Sequence, residues 1–164
     1  MGYDGEYMTH CGQVEMDCSI VSIVAVSGDF PNPCGHLLAM TRCQHYFHVA
    51  QFRGSPKFMT DAGYRRYLKE AGKSEIRRRP LSLPDPDGAK LYLENLMADT
   101  WTWGVIPNNC VAFVEEVIAA GGGTWSSYSN CPSLATADTI GERATRFLNQ
   151  LENEIYRQYG VPRF

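Results

Sequence analysis

Residues 35–52 read GHLLAMTRCQHYFHVAQF, and how this stretch folds decides the rest of the chain. Its two apolar runs, residues 35–40 and 46–52, have ordinary strand length, and residues 41–44 between them suit a turn, so the segment predicts a β-hairpin. Three of the chain's four histidines fall inside it. In an antiparallel hairpin, residues an even number apart can share a face, so His36 and His48 emerge side by side while His45 points to the other face. A bulge in the turn would exchange His48 and His45.

Working outward, residues 19–27 (SIVSIVAVS) are rich in β-branched side chains and predict a buried strand, closed by the turn-forming GDFPNP of residues 28–33. Residues 1–12 carry no periodicity and read as an irregular lead-in or a short edge element, with no chemistry assigned to them. Downstream, Thr60 or Asp61 can cap a helix running to Ala71, with Gly72 as its stop. Pro80, Pro84 and Pro86 then interrupt the chain. Residues 87–101 carry Leu91, Leu93, Leu96 and Met97 at helical spacing, and residues 103–107 return into the core. Residues 110–120 form the clearest helix, with Val111, Phe113, Val114, Val117 and Ile118 in one band and Gly121, Gly122 and Gly123 ending it. A Ser-rich loop follows over residues 126–133, and residues 135–159 read as one long or two shorter helices. The expected architecture is α+β, one domain over residues 1–164, with a small antiparallel sheet packed against a helix and further helices at the C-terminal end.

At 164 residues the chain is long enough to bury a core without metals or disulfides, and 44% apolar with 20% charged residues places it among folded proteins. A net charge of −3 gives no general attraction to phosphate backbones, which argues against nucleic acid as a partner. No apolar run approaches the ~20 residues that span a bilayer, and the first residues lack the pattern of a cleavable signal. The expectation is synthesis in the cytoplasm, with any export through a specialised secretion machine, and no stable membrane insertion. The six cysteines, at positions 11, 18, 34, 43, 110 and 131, contain no CxxC pair and leave the redox compartment open.

The chemistry centres on Cys110. Asn108 or Asn109 caps the helix that Cys110 opens, and the unpaired amides and positive dipole end there favour a thiolate and could hold an oxyanion. Taken alone, Cys110 reads better as a small buried apolar residue on the face shared by Phe113, Val114 and Val117. What separates the two is a base. His36 can take the thiol proton, and His48 can orient the His36 ring as the third member of a triad.

The order of Gly35-His36-Leu-Leu-Ala, then His48, then Asn109-Cys110-Val-Ala-Phe113-Val114 resembles the circularly permuted papain-like hydrolases of the NlpC and lecithin-retinol acyltransferase type. The resemblance covers residues 33–123. It implies a small antiparallel sheet packed on the nucleophile helix, Cys110 as nucleophile, His36 as base and His48 as orienting residue, with no cofactor. It further implies acyl-enzyme chemistry on a peptide amide such as a cell-wall stem peptide. Lipid-modifying members usually carry an aromatic after the first histidine and a charged or histidine pair inside the cysteine motif, where this chain has Leu37 and Val111-Ala112. A phospholipase or lipid acyltransferase using the same dyad is the alternative. A compact hydrolase of this kind is also similar to the effectors that bacteria deliver through a type VI secretion machine, whose partner would be an immunity protein.

A non-catalytic use of the same residues is a zinc-stabilised binding domain built from Cys34, His36, Cys43 and His45 with Cys11, Cys18 and His48 nearby, although these spacings do not match common zinc knuckles. Trp101 and Trp103 read as core or cleft-wall residues, Asp85 and Asp87 as turn and cap residues, Arg77 to Arg79 as a solvated face, and Cys131 as a loop residue.

Overall fold

The computed structural model describes residues 2–9, 14–28, 35–49, 53–102 and 109–124. The chain divides into two compact units, Met1–Cys131 and Pro132–Phe164, and the second lies wholly outside the described residues. So do the loop expected at residues 126–133, the helices expected at 135–159, the last residues of the expected second hairpin strand, and Trp103.

An antiparallel five-stranded sheet forms the centre of the first unit. Its strands are β1 (Ile20–Val26), β2 (His36–Thr41), β3 (Tyr46–His48), β5 (Lys57–Met59) and β6 (Glu75–Ser82), in the order β5-β3-β2-β1-β6. A separate two-stranded ladder joins β4 (Arg53–Gly54) to β7 (Trp101–Thr102). The predicted hairpin is present, with Ala39 opposite Phe47 and Met40 opposite Tyr46. Its turn closes through Gln44, whose amide donates to the Thr41 carbonyl and whose φ is 60°.

Strand β1 is buried on both faces, which is why its sequence is a continuous apolar run and not an alternation. One face of the sheet offers Val21, Ile23, Ala25, Leu37, Ala39 and Phe47 to helices α2 (Pro86–Ala98) and α3 (Cys110–Ala120) through Leu93, Met97, Phe113, Val114 and Val117. The other face offers Val24, Val26, Leu38, Met40, Tyr46 and Met59 to helix α1 (Asp61–Glu70) through Tyr64 and Tyr67. The sheet is therefore a shared wall between two apolar layers.

The helices begin where their caps dictate. Thr60 accepts from the Gly63 amide, Asp85 from Gly88, and Asn109 from Val111 and Ala112. Gly72 (φ 63°) ends α1 in the left-handed region that glycine tolerates. Helix α2 starts at Pro86, one residue before the expected start, because proline fits the first turn of a helix. It stops at Ala98 and not at Trp101, since Trp101 enters the ladder with Gly54.

The prolines at 80, 84 and 86 do not simply break the chain. Residues 75–82 form β6, the longest strand, paired with β1 from Ser82 opposite Ile20 to Glu75 opposite Val26. Pro80 is tolerated because β6 is an edge. The Leu83 amide bonds to the Ser19 carbonyl at 3.3 Å, so by alternation residues 83, 81 and 79 turn their backbone groups toward β1 while Pro80 turns outward, where no partner requires its missing N–H.

Candidate active site

The ladder between β2 and β3 begins at the turn, where the Thr41 amide donates to His45 O at 2.9 Å, and ends at Ala39 opposite Phe47. Alternation turns the amides of Thr41, Ala39 and Leu37 toward β3. Past Ala39 the two strands no longer pair, and the Leu37 amide that would have met Val49 lies instead within hydrogen-bonding reach of the Cys110 sulfur. Cys110 is the first residue of α3, partly buried, and its sulfur is also approached by the amides of Cys110 and Val111. Asn109 Oδ1 accepts from the Val111 and Ala112 amides at 3.0 Å each, so the cap already occupies those two donors. Of the amides turned toward the sulfur, those of Leu37 and Cys110 are the two that the cap does not hold.

His36 and His48 do share a face. Gly35 launches β2 with φ 76°, and a Cβ there would collide with the Val26 carbonyl oxygen, so the residue before His36 has to be glycine. His36 lies on the diagonal from His48 across the strand pair, and its Nε2 is 2.8 Å from His48 Nδ1. The two rings meet edge to face with centroids 5.0 Å apart. His48 is fully buried, rests against the Tyr67 ring, and places its Nε2 2.8 Å from the carbonyl oxygen of Asp4.

This chain of contacts sets the tautomers. A carbonyl only accepts, so Nε2 of His48 carries a hydrogen. Burial pushes the His48 pKa down to about 4, so the ring is neutral at pH 7 and its Nδ1 is a bare acceptor. Nε2 of His36 must then donate. Burial, with the adjoining His48 and Lys73 charges, holds His36 well below the usual imidazole range, so it too is neutral and its lone pair sits on Nδ1, the atom a general base would use.

The thiol does not behave as the helix end alone suggests. Burial raises the Cys110 pKa above the ordinary thiol value, and the amides of Leu37, Cys110 and Val111 only partly offset this. With His36 depressed and Cys110 raised, the resting groups are a neutral thiol and a neutral imidazole, not an ion pair. The groups also approach from different sides: strand alternation puts both histidines in the layer of α1, while Cys110 packs in the layer of α3. The histidine pair and the thiol therefore belong to opposite faces of the sheet.

The remaining candidates fall elsewhere. His45 is on the other side of the hairpin, its Nδ1 3.1 Å from the carbonyl of Glu15. Cys18, Cys43 and Cys110 are free thiols, and burial drives the Cys18 pKa up to about 11. Cys11, Cys34 and Cys131 lie outside the described residues, among which no group of three His, Cys, Asp or Glu side chains could hold a metal ion. Asp85 is the α2 cap, and Arg77, Arg78 and Arg79 are exposed as expected, Arg78 also pairing with Glu75 and Tyr46. A groove of about 590 Å³, lined by Met40, Tyr64, Arg65 and Arg78 among others, opens on the α1 face near the turn end of the hairpin, away from His36. No helix among the described residues is long and apolar enough to cross a membrane.

Two contributors carry no sequence signal. Asp4 acts through its main chain, 44 residues from His48, and Leu37 through an amide that only the parting of two strands exposes. Compared with models of known protein families, with curated proteins and with solved structures, the chain matches none.

Proposed function

We propose that this protein is a thiol hydrolase of the permuted papain-like kind, acting on an amide through an acyl-enzyme. The observation that carries this reading is the Asp4–His48–His36 relay, which leaves the lone pair of His36 on Nδ1, while the amide of the next residue in the strand, Leu37, favours the Cys110 thiolate.

In this mechanism His36 Nδ1, on the other face of the sheet, takes the thiol proton through a bridging water past the end of the β2–β3 ladder as the sulfur attacks the carbonyl carbon. The amides of Leu37 and Cys110 receive the oxyanion, and His36 returns the proton to the leaving amine. His36 then deprotonates a water that releases the acid. A neutral resting pair fits general-base activation during attack. A peptide amide such as a cell-wall stem peptide is favoured over a lipid ester, since the cysteine motif lacks the marks of the lipid-modifying members. Delivery as a bacterial effector restrained by an immunity protein is the matching biological setting.

The test pairs reactivity with turnover. A peptidyl acyloxymethyl ketone should label Cys110 selectively at pH 7, and His36→Ala should abolish that labelling. Small iodoacetamide should alkylate Cys110 slowly at pH 6, with a rate that climbs above the ordinary thiol pKa. Mass spectrometry of muropeptides incubated with the protein should show a new amine and acid from one amide, absent with Cys110→Ala. Equal labelling of Cys110 and Cys43, unaffected by His36→Ala, would sink the hydrolase reading.

A further inference from the structure

Residues 2–9, featureless as sequence, are held in place almost residue by residue. The Tyr3 amide donates to the Glu70 carboxylate at 2.7 Å, and the Arg66 guanidinium lies 4.6 Å from the centre of the Tyr3 ring. Gly5 adopts φ 107°, and a Cβ there would stand 2.9 Å from the Phe58 carbonyl oxygen. Glu6 exchanges two backbone hydrogen bonds of 2.9 Å with Phe58. Between these anchors Asp4 touches the site twice: its carbonyl accepts from His48 Nε2 at 2.8 Å, and its carboxylate accepts from Lys57 Nζ at 2.7 Å.

Lys57 is only 7% exposed and stands directly opposite His48 in the ladder between β3 and β5. Its ammonium also lies 4.9 Å from the centre of the Tyr7 ring. Burying an ammonium is costly, and a buried ion pair adds little net stability over an apolar residue of the same length. What the pair supplies is a fixed position for Asp4.

We propose that Lys57 is a positioning residue for the histidine pair, pinning the Asp4 carboxylate so that the Asp4 carbonyl selects the Nε2–H form of His48 and thereby the Nε2–H form of His36. The selection itself needs no catalysis; its consequence for Cys110 rests on the thiol-hydrolase reading above. Without the pin, Asp4 is held only through the backbone anchors of its neighbours, and its carbonyl is aimed less firmly at Nε2 of His48. The preference of His48 for Nε2–H then narrows, and whenever Nδ1 of His48 carries the hydrogen, His36 must accept at Nε2 and place its own hydrogen on Nδ1, where it can no longer act as a base.

The experiment uses the full chain with 15N-labelled histidine and long-range 1H–15N correlation at pH 7, which reports the tautomer of each ring. The unmodified protein and Lys57→Arg should both show His36 and His48 in a single Nε2–H form. Lys57→Met should show mixed forms at both rings, with labelling of Cys110 by the acyloxymethyl ketone slowed roughly tenfold, the scale of losing a group that orients a reactive one. Asp4→Ala, at a partly exposed side chain and with no acceptor left for Lys57, guards against a folding failure of Lys57→Met and should move both readouts in the same direction. Unmixed tautomers and unchanged labelling in both variants would overturn the proposal. Mixed tautomers in Lys57→Met, together with a Cys110 in the unmodified protein that reacts no faster than Cys43, would sustain the positioning role and remove the hydrolase reading.

Discussion

His48 does not touch the sulfur, yet its two ring nitrogens decide which atom of His36 is basic. A glutamine at this position could reproduce both contacts, its NH₂ donating to the Asp4 carbonyl and its oxygen accepting from His36 Nε2. A leucine could make neither. If the protein acts as the proposed thiol hydrolase, His48→Gln should therefore keep amide hydrolysis within roughly tenfold of the unmodified protein, whereas His48→Leu should lose on the order of 10²–10⁴-fold in kcat, as expected when a catalytic imidazole is left in the wrong tautomer. Steady-state kinetics on the same muropeptide check the ordering, and equal rates in the two variants would refute the relay. The pairing of His36 with His48 was legible in the sequence because strand parity is arithmetic over twelve residues. Asp4 was not, because a main-chain carbonyl brought in from a distant segment leaves no residue type or period to recognise. The charge state of Cys110 was half legible: spacing locates it at a helix start, but only packing reveals that burial outweighs the helix end.

Among the elements, the helices follow local chemistry and were readable from it. Caps at Thr60, Asp85 and Asn109 act within three residues of themselves, so sequence alone carries them. The most consequential of these is Asn109, which holds the first turn behind Cys110. Asn109→Ala should cost about 1 kcal/mol of stability, measurable by urea denaturation, and should slow Cys110 labelling by loosening the turn that presents it. Strand β6 was not readable, because Arg77-Arg78-Arg79-Pro80 has the composition of a loop and gains its strand character only from pairing with β1. The same residues protect it. An eight-residue edge is a template for another chain, and here Pro80 removes an outward donor while three arginines repel a second copy and a register shift bends the end near Glu75. Pro80→Thr should leave the unfolding free energy within about 1 kcal/mol, yet produce concentration-dependent association in light scattering. A strictly monomeric Pro80→Thr at high concentration would show that the arginines suffice.

For the whole first unit, two apolar layers share one sheet, and the neutral groups buried against that sheet determine how stability varies with pH. His48 titrates near 6.5 when unfolded and near 4 in the fold. Between those values the unfolded chain binds a proton that the folded chain refuses, so stability rises with pH there and is lost as pH falls from about 6.5 to about 4. At ~1.4 kcal/mol per pKa unit this one ring accounts for about 3 kcal/mol by pH 4, a large share of a typical domain's stability. His36 is depressed for the same reason and acts in the same direction. Carboxylates held low by their partners, such as Glu75 beside the Arg78 guanidinium and the Tyr64 hydroxyl, add their loss only below the ordinary carboxylate range. At the alkaline end the sign reverses: Cys18, raised from 9.0 to about 11 by burial, stays protonated in the fold while the unfolded thiol ionises, so stability declines as pH rises through that window. Urea midpoints taken from pH 4 to 11 should therefore form a plateau between about 6.5 and 9. The acid limb should shallow in His48→Gln and the alkaline limb in Cys18→Ala, each without moving the other. An acid limb that begins only below pH 4.5 and is indifferent to His48→Gln would mean that the histidines are solvated, and the relay that orients His36 would go with them.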